Sequence, residues 1–143
     1  MSKVDIRIDD KEVLKLFKKL QQKMKDMTDV MRDISVIMDK DVKEHFLKEE
    51  GPEGKWEKLK YRKPSINILR LTGRHLWGTI TPDYDKKSAR VGTPTEWATI
   101  HQFGGYAGRG LKAKIPKRPF LWLSEQAKNW IKETMIEYLS NGV

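Results

Sequence analysis

The sequence predicts an α+β fold. Three observations carry that prediction: a period-two stretch near the start, three amphipathic helical stripes, and a strand–turn–strand pattern in the middle. The expected architecture is a small antiparallel sheet, including residues 3–8, 77–82 and 88–92. It packs against two N-terminal helices and a C-terminal helix. Two long basic loops, at about 51–65 and 104–119, leave the body, and residues 1–143 are expected to form a single domain.

The elements follow in chain order. Val4, Ile6 and Ile8 alternate with Lys3, Asp5 and Arg7, the period of a half-buried strand. Asp9 or Asp10 can cap the next helix. Its stripe is Val13, Leu16, Phe17, Leu20, Met24 and Met27, and core packing is its expected role. Thr28 and Asp29 offer a second cap. Val30, Ile34, Ile37, Val42 and Phe46 then run to about residue 48.

Gly51, Pro52, Gly54 and Pro64 break the periodicity and mark the first loop, which Trp56 and Leu59 tack to the body. Thr72 and Gly73 suggest a turn or cap. Trp77, Thr79 and Thr81 alternate with Ile80 until Pro82 stops the run. A turn at "DYDKKS" and a returning strand at "ARVGT" complete a hairpin. Thr93 and Glu96 fit a capping box around Pro94, so a short helix is expected to begin at Pro94. Trp97, Ile100 and His101 share its face, and Gly104 or Gly105 ends it. No periodic pattern continues through residues 104–119. Finally, Ser124 caps a helix with the stripe Ala127, Trp130, Ile131, Met135, Tyr138 and Leu139, which Asn141 and Gly142 end.

Charge narrows the range of partners. The net charge is +9, but residues 1–50 are neutral and residues 119–143 are −1. Residues 51–118 carry 15 basic and 5 acidic side chains. The excess sits on Lys55, Lys58, Lys60, Arg62 and Lys63 in the first loop, and on Arg109, Lys112, Lys114, Lys117 and Arg118 in the second. These ten are candidate contacts to DNA or to an acidic protein ring. A solubilising surface explains the charge excess equally well. No pattern of basic and amide side chains along a helix supports sequence-specific base readout.

The chemistry of catalysis is sparse. There is no cysteine, which excludes disulfides, zinc-thiolate sites and a cysteine nucleophile, and suits a reducing compartment. No signal peptide is expected from "MSKVDIRIDDKEV", and no apolar run is long enough for a bilayer span. His45, His75 and His101 are isolated in sequence, and no phosphate-binding glycine motif precedes a helix. No cofactor, metal or catalytic residue is expected. For His101 the favoured role is packing beside Trp97 near a helix C-terminus, where the dipole favours an imidazolium. Its functional alternative is a hydrogen bond that holds the Gly104–Gly105 loop or meets a neighbouring subunit.

The blocks "EGPEGKWEKL", "ILRLTGRHLWGTI", "RVGTPTEWATIHQFGG" and "IPKRPFLWLS", in that order and followed by a terminal helix, resemble the phage virion morphogenesis, or tail completion, family. That family includes Mu-like tail-assembly proteins and S-type tail completion proteins. The resemblance runs from about Phe46 to Leu139, and Trp97 stands where members often carry tyrosine. It marks Trp56, Thr72, Gly73, Trp97, His101, Phe103, Gly104, Gly105, Arg118, Pro119 and Phe120 as structural motif residues. It implies a non-enzymatic protein of the tail end or head–tail neck that forms a ring, often hexameric, and completes the tail or joins it to the head. The implied partners are further copies of the chain, tail-tube and neck or connector proteins, and DNA in the lumen, with no membrane. The implied location is the bacterial host cytoplasm during assembly and then the virion tail or neck. A DNA-binding module that uses the basic loops without a ring is the alternative. A hydrolase centred on His101 is a third and weaker reading.

Overall fold

Helix α2 is the spine around which the other elements are arranged. The computed structural model describes residues 10–59, 68–69 and 76–141. The strand expected at residues 3–8, Thr72, Gly73 and the cap at Gly142 lie outside the described residues. Among the described residues the order is α1 (Lys11–Lys25), α2 (Thr28–Lys48), β1 (Glu50–Gly51), β2 (Gly54–Lys55), β3 (Thr81–Tyr84), β4 (Ala89–Gly92), α3 (Ala98–Phe103), β5 (Gly105–Ala107), β6 (Ala113–Ile115) and α4 (Glu125–Ser140). Short 3-10 helices cover Leu76–Thr79 and Arg109–Leu111. The fold is α+β. Among the described residues the strands form three separate antiparallel pairs, β1–β2, β3–β4 and β5–β6.

Asp10 begins α1, its carboxylate accepting hydrogen bonds from the N–H groups of Glu12 and Val13 at 2.8 and 3.3 Å. The stripe of α1 was expected to pack in the core, yet no residue of α1 is buried. The helix is fastened at its C-terminal end instead. Lys23 Nζ donates to the Tyr138 carbonyl at 2.8 Å, and the Tyr138 hydroxyl donates to the Lys23 carbonyl at 3.2 Å.

The start of α2 also departs from expectation. Thr28 and Asp29 do not cap it. Asp26 accepts from both the N–H and the hydroxyl of Thr28, and Met27 occupies the cap position without a side-chain bond. Val30, Ile34, Val42 and Phe46 are buried as expected, and Ile37 is half-buried. They feed two apolar clusters. Val42 and Phe46 join Trp56, Ile68, Leu76, Ile80, Ala98 and Phe120. Val30, Met31 and Ile34 meet Ile131, Met135 and Tyr138 of α4. Ser124 caps α4 through the Ala127 N–H at 3.1 Å. Trp130 does not join the buried stripe and is 49% exposed. At about 100° per residue it lies roughly a quarter-turn from the line through Ala127, Ile131, Met135 and Tyr138.

The strand expected over residues 77–82 is displaced. The Thr79 hydroxyl donates to the Leu76 carbonyl at 2.7 Å and stabilises a 3-10 turn, so Trp77 and Thr79 are helical. Strand β3 begins at Thr81 and runs through Pro82, which pairs with Val91. Proline is tolerated there because both strands of an isolated pair are edges.

The capping box at Thr93 and Glu96 does not form, and α3 begins at Ala98 rather than Pro94. The Thr93 hydroxyl is engaged elsewhere, 2.7 Å from that of Thr79 and accepting the Thr95 N–H at 3.3 Å. A threonine bonded two residues ahead favours a turn over a helix. The helix does end at Gly104, whose N–H donates to the Ile100 carbonyl. Residues 104–119 carry no periodic pattern in the sequence. They contain the hairpin β5–β6, in register Gly105↔Ile115, Tyr106↔Lys114 and Ala107↔Ala113.

Candidate functional site

The motif blocks that are far apart in sequence close on one another. The Arg118 N–H donates to the His101 carbonyl at 2.8 Å. One residue on, the Gln102 side chain behaves as a stretch of backbone. Its Oε1 accepts from the N–H groups of Phe120 and Leu121 at 2.9 and 3.0 Å, and its Nε2 donates to the Leu121 carbonyl at 3.2 Å. Trp56 Nε1 donates to the Pro119 carbonyl at 2.8 Å. Phe120, fully buried, meets Phe46 with ring centroids 5.2 Å apart, and Phe46 meets Trp56 edge-on at 5.6 Å. Gly104 completes the junction. It sits at φ 75°, and a Cβ there would lie 3.0 Å from the Lys117 backbone nitrogen and 3.2 Å from the Ile115 carbonyl oxygen. Glycine is required by both conformation and space.

His101 packs edge-on against Trp97, with ring centroids 5.9 Å apart. Burial pushes its pKa down, and the nearby Arg118 guanidinium pushes it the same way. The expected dipole-favoured imidazolium is therefore overturned: desolvation and a like charge favour the neutral ring. Its Nδ1 is buried with no hydrogen-bond partner among the described residues. The backbone carbonyl of His101, rather than its ring, reaches the chain beyond the Gly104–Gly105 loop.

The more constrained histidine is His45, which sequence reasoning left isolated. It is buried in α2, and its ring stacks on Trp122 at a centroid distance of 3.7 Å. His45 Nε2 lies 3.2 Å from an Asp41 carboxylate oxygen and 3.0 Å from the Trp122 carbonyl oxygen. The other Asp41 oxygen accepts the Ser124 hydroxyl at 2.6 Å. Serine, histidine and aspartate thus lie together, but the serine bonds the aspartate, not the histidine. That order fastens α4 to α2; it does not activate a nucleophile. The available signal was the i,i+4 spacing of Asp41 and His45 on the face that carries Val42 and Phe46.

The two basic loops become neighbours. Lys55 and Lys117 line a cleft of about 260 Å³ floored by Trp56 and Pro119. Lys58 and Lys114 line a second, of about 480 Å³, with Glu57 and Pro116. Arg109 and Lys112 are exposed near the turn of the β5–β6 hairpin. Lys60, Arg62 and Lys63 lie outside the described residues. Arg118 departs from the group in which its sequence position placed it. It is buried, and its guanidinium donates to the carbonyls of Glu57 and Lys58 at 2.9 and 3.4 Å. Its charge is spent on holding the first loop to the second. Phe103, Tyr106 and Leu111 are largely exposed.

Among the described residues no group of three or more His, Asp or Glu side chains is placed to hold a metal ion, and no helix is long and apolar enough to cross a membrane. Residues 8–140 match the phage virion morphogenesis family. The chain belongs to that family. It is 36% identical over 138 residues to the Mu-like prophage FluMu G protein 2 of Haemophilus influenzae, covering 94% of this chain and 95% of that protein. It is 31% identical over 147 residues to the Mu-like prophage FluMu G protein 1 of the same organism, covering 96% and 95%. No solved structure matches the chain. The family assignment gives the chain a structural, morphogenetic role in phage, and the braced motif residues of this family member are those that join α3 to the segment before α4.

Proposed function

We propose that the chain is a non-enzymatic ring subunit of the tail end or head–tail neck, which completes the tail or joins it to the head. The observation that carries this reading is the β5–β6 hairpin. Tyr106, Leu111 and Lys114 on it are exposed, while its base is fixed by Gly104 and by the His101–Arg118 bond. A two-stranded hairpin is marginal alone, and this one, half-buried at Gly105, Ala107 and Ile115, keeps its Tyr106–Lys114 face open for a neighbour. Rigid placement with an uncovered surface suits a part that is completed on assembly. The proposed partners are further copies of the chain, in a ring of six, together with tail-tube and neck proteins. The proposed location is the host cytoplasm during assembly, then the virion.

The exposed cations Lys58, Lys114, Arg109 and Lys112 support a lumen-facing or polyanion-facing surface, whereas the Lys55–Lys117 cleft is balanced by Glu53 and Glu57. They equally favour the alternative, a DNA-binding module without a ring. The two separate on isolated tails. The ring reading expects this chain to co-purify with tails in a fixed multiple, and expects tails made without it to fail to join heads. Normal joining without the chain, together with salt-sensitive DNA binding by a monomer, would support the alternative.

A further inference from the structure

Leu111 is a bulky side chain on a backbone that bulky residues rarely adopt. Its φ of 52° lies in the left-handed region, which is costly for a residue other than glycine and persists where something compensates. Two more such residues occur among those described, and each has its compensation within the chain. Glu49, at φ 54°, ends α2, and its carboxylate accepts the Ile68 N–H at 2.6 Å. Leu69, at φ 60°, packs on the core that contains Phe46 and Phe120. Leu111 has neither a buried side chain nor one that can hydrogen-bond. It is 67% exposed at the turn of the β5–β6 hairpin, where Arg109 and Lys112 are exposed with it.

The chain also carries a groove that suits this side chain. It lies beside α3 and encloses about 310 Å³, with buried Ala98 and Phe120 at its floor and Thr95, Thr99, Phe103 and Leu121 along it. Every side chain that lines it is uncharged, and Leu111 of the same copy is not among them. A leucine in the clefts of the basic loops would instead cut charged groups off from water, Lys55, Glu57 and Lys117 in one, Lys58 and Lys114 in the other. The segment that forms the groove also carries Glu96, which is exposed and is the one carboxylate between Asp85 and Glu125.

From the strained, uncovered leucine and the uncharged groove we infer that the hairpin tip of one copy docks beside α3 of the next. Leu111 then covers Ala98 and Phe120, and its burial offsets the cost of its backbone. Arg109 and Lys112 meet a surface whose nearest charge in sequence is Glu96, which orients the tip. Tip and groove are different surfaces, so the contact is heterologous and propagates from copy to copy; it closes into a ring when the rotation permits. One leucine in one groove is a small contact. A closed ring holds every copy twice, so the contact is firmer there than in an isolated pair. This inference rests on the ring reading above and names the surfaces that build it.

Leu111→Gly separates docking from a structural role. Glycine accepts this φ freely, so the variant monomer should unfold at the same urea concentration as the wild type or a higher one. Its multimers on isolated tails should nevertheless fall by about tenfold or more, because the anchor is gone. Leu111→Met should keep them. The absence of cysteine lets Lys112→Cys and Thr99→Cys report the contact itself. Mixed and treated with a short bis-maleimide, the two single variants should give a dimer containing one of each, and a chain with both should give a ladder. Glu96→Lys should lower that yield, since like charges then meet.

Four outcomes would overturn the inference. Multimers unchanged by Leu111→Gly would leave the ring reading standing and remove this contact. A lower unfolding midpoint for Leu111→Gly would make Leu111 a structural residue of its own copy. Loss of duplex DNA binding in Leu111→Gly, with the cysteines unlinked, would make the tip a polyanion contact. A chain that stays monomeric alone and on tails would remove both the contact and the ring.

Discussion

His45 lies flat against Trp122, with ring centroids 3.7 Å apart and planes within 8°. The stack joins the middle of the spine helix to the segment that launches α4. It is locked by Asp41, which holds both His45 and the Ser124 cap. His45→Ala removes a buried ring and leaves the Trp122 carbonyl and Asp41 short of a partner. The expected loss is about 3 kcal/mol in urea unfolding. His45→Phe keeps the stack and should lose about half as much, because only the polar contacts go.

Gln102 bonds three backbone groups of the chain at Phe120 and Leu121. Gln102→Leu leaves two N–H groups without an acceptor, and the expected cost is about 2–4 kcal/mol. Gln102→Glu keeps the acceptor and should cost less. Equal midpoints for Gln102→Leu and the wild type in denaturant would mean that these bonds carry no stability.

The depressed pKa of His101 has a sign that can be checked. The folded state holds the ring neutral through burial and Arg118, while the unfolded chain protonates near the ordinary value. The unfolded state therefore binds more protons as pH falls, and its contribution to stability is full above about pH 6.5 and declines below it. Between pH 7 and 5, His101→Asn should lose less stability than the wild type. Parallel pH profiles of the two proteins would contradict the assignment.

Arg118 and the loop lysines should respond oppositely. Arg118→Met unpairs the carbonyls of Glu57 and Lys58 and should destabilise the fold by about 2 kcal/mol or more. Lys58→Gln with Lys114→Gln should change stability within about 0.5 kcal/mol. The lysine pair should instead lower affinity for duplex DNA and flatten its salt dependence. DNA affinity that is unchanged by the lysine pair would remove the polyanion role of the cleft.

What the sequence made legible was the local chemistry. Asp10 and Ser124 cap helices because the N–H groups they accept from lie two or three residues on, and Gly104 ends α3 because its φ of 75° suits glycine. The same logic misled at Thr93. Its hydroxyl is claimed by Thr79, fourteen residues back, and no local pattern reports a competitor that distant. Periodicity showed that α1 is amphipathic but not what its apolar face meets. Of the site, the motif blocks were visible as strings, whereas the Gln102 and His45 contacts exist only once α2, α3 and the segment before α4 are brought together. Arg118 read as one more loop cation because burial is a property of the fold.

The proposed closed ring on the phage tail is open to native mass spectrometry of isolated tails dissociated under mild conditions. The expected result is one discrete assembly of this 16.8 kDa chain, a sixfold multiple, released with or from the tail end. Tails that carry the chain only as a monomer, or do not carry it at all, would contradict it.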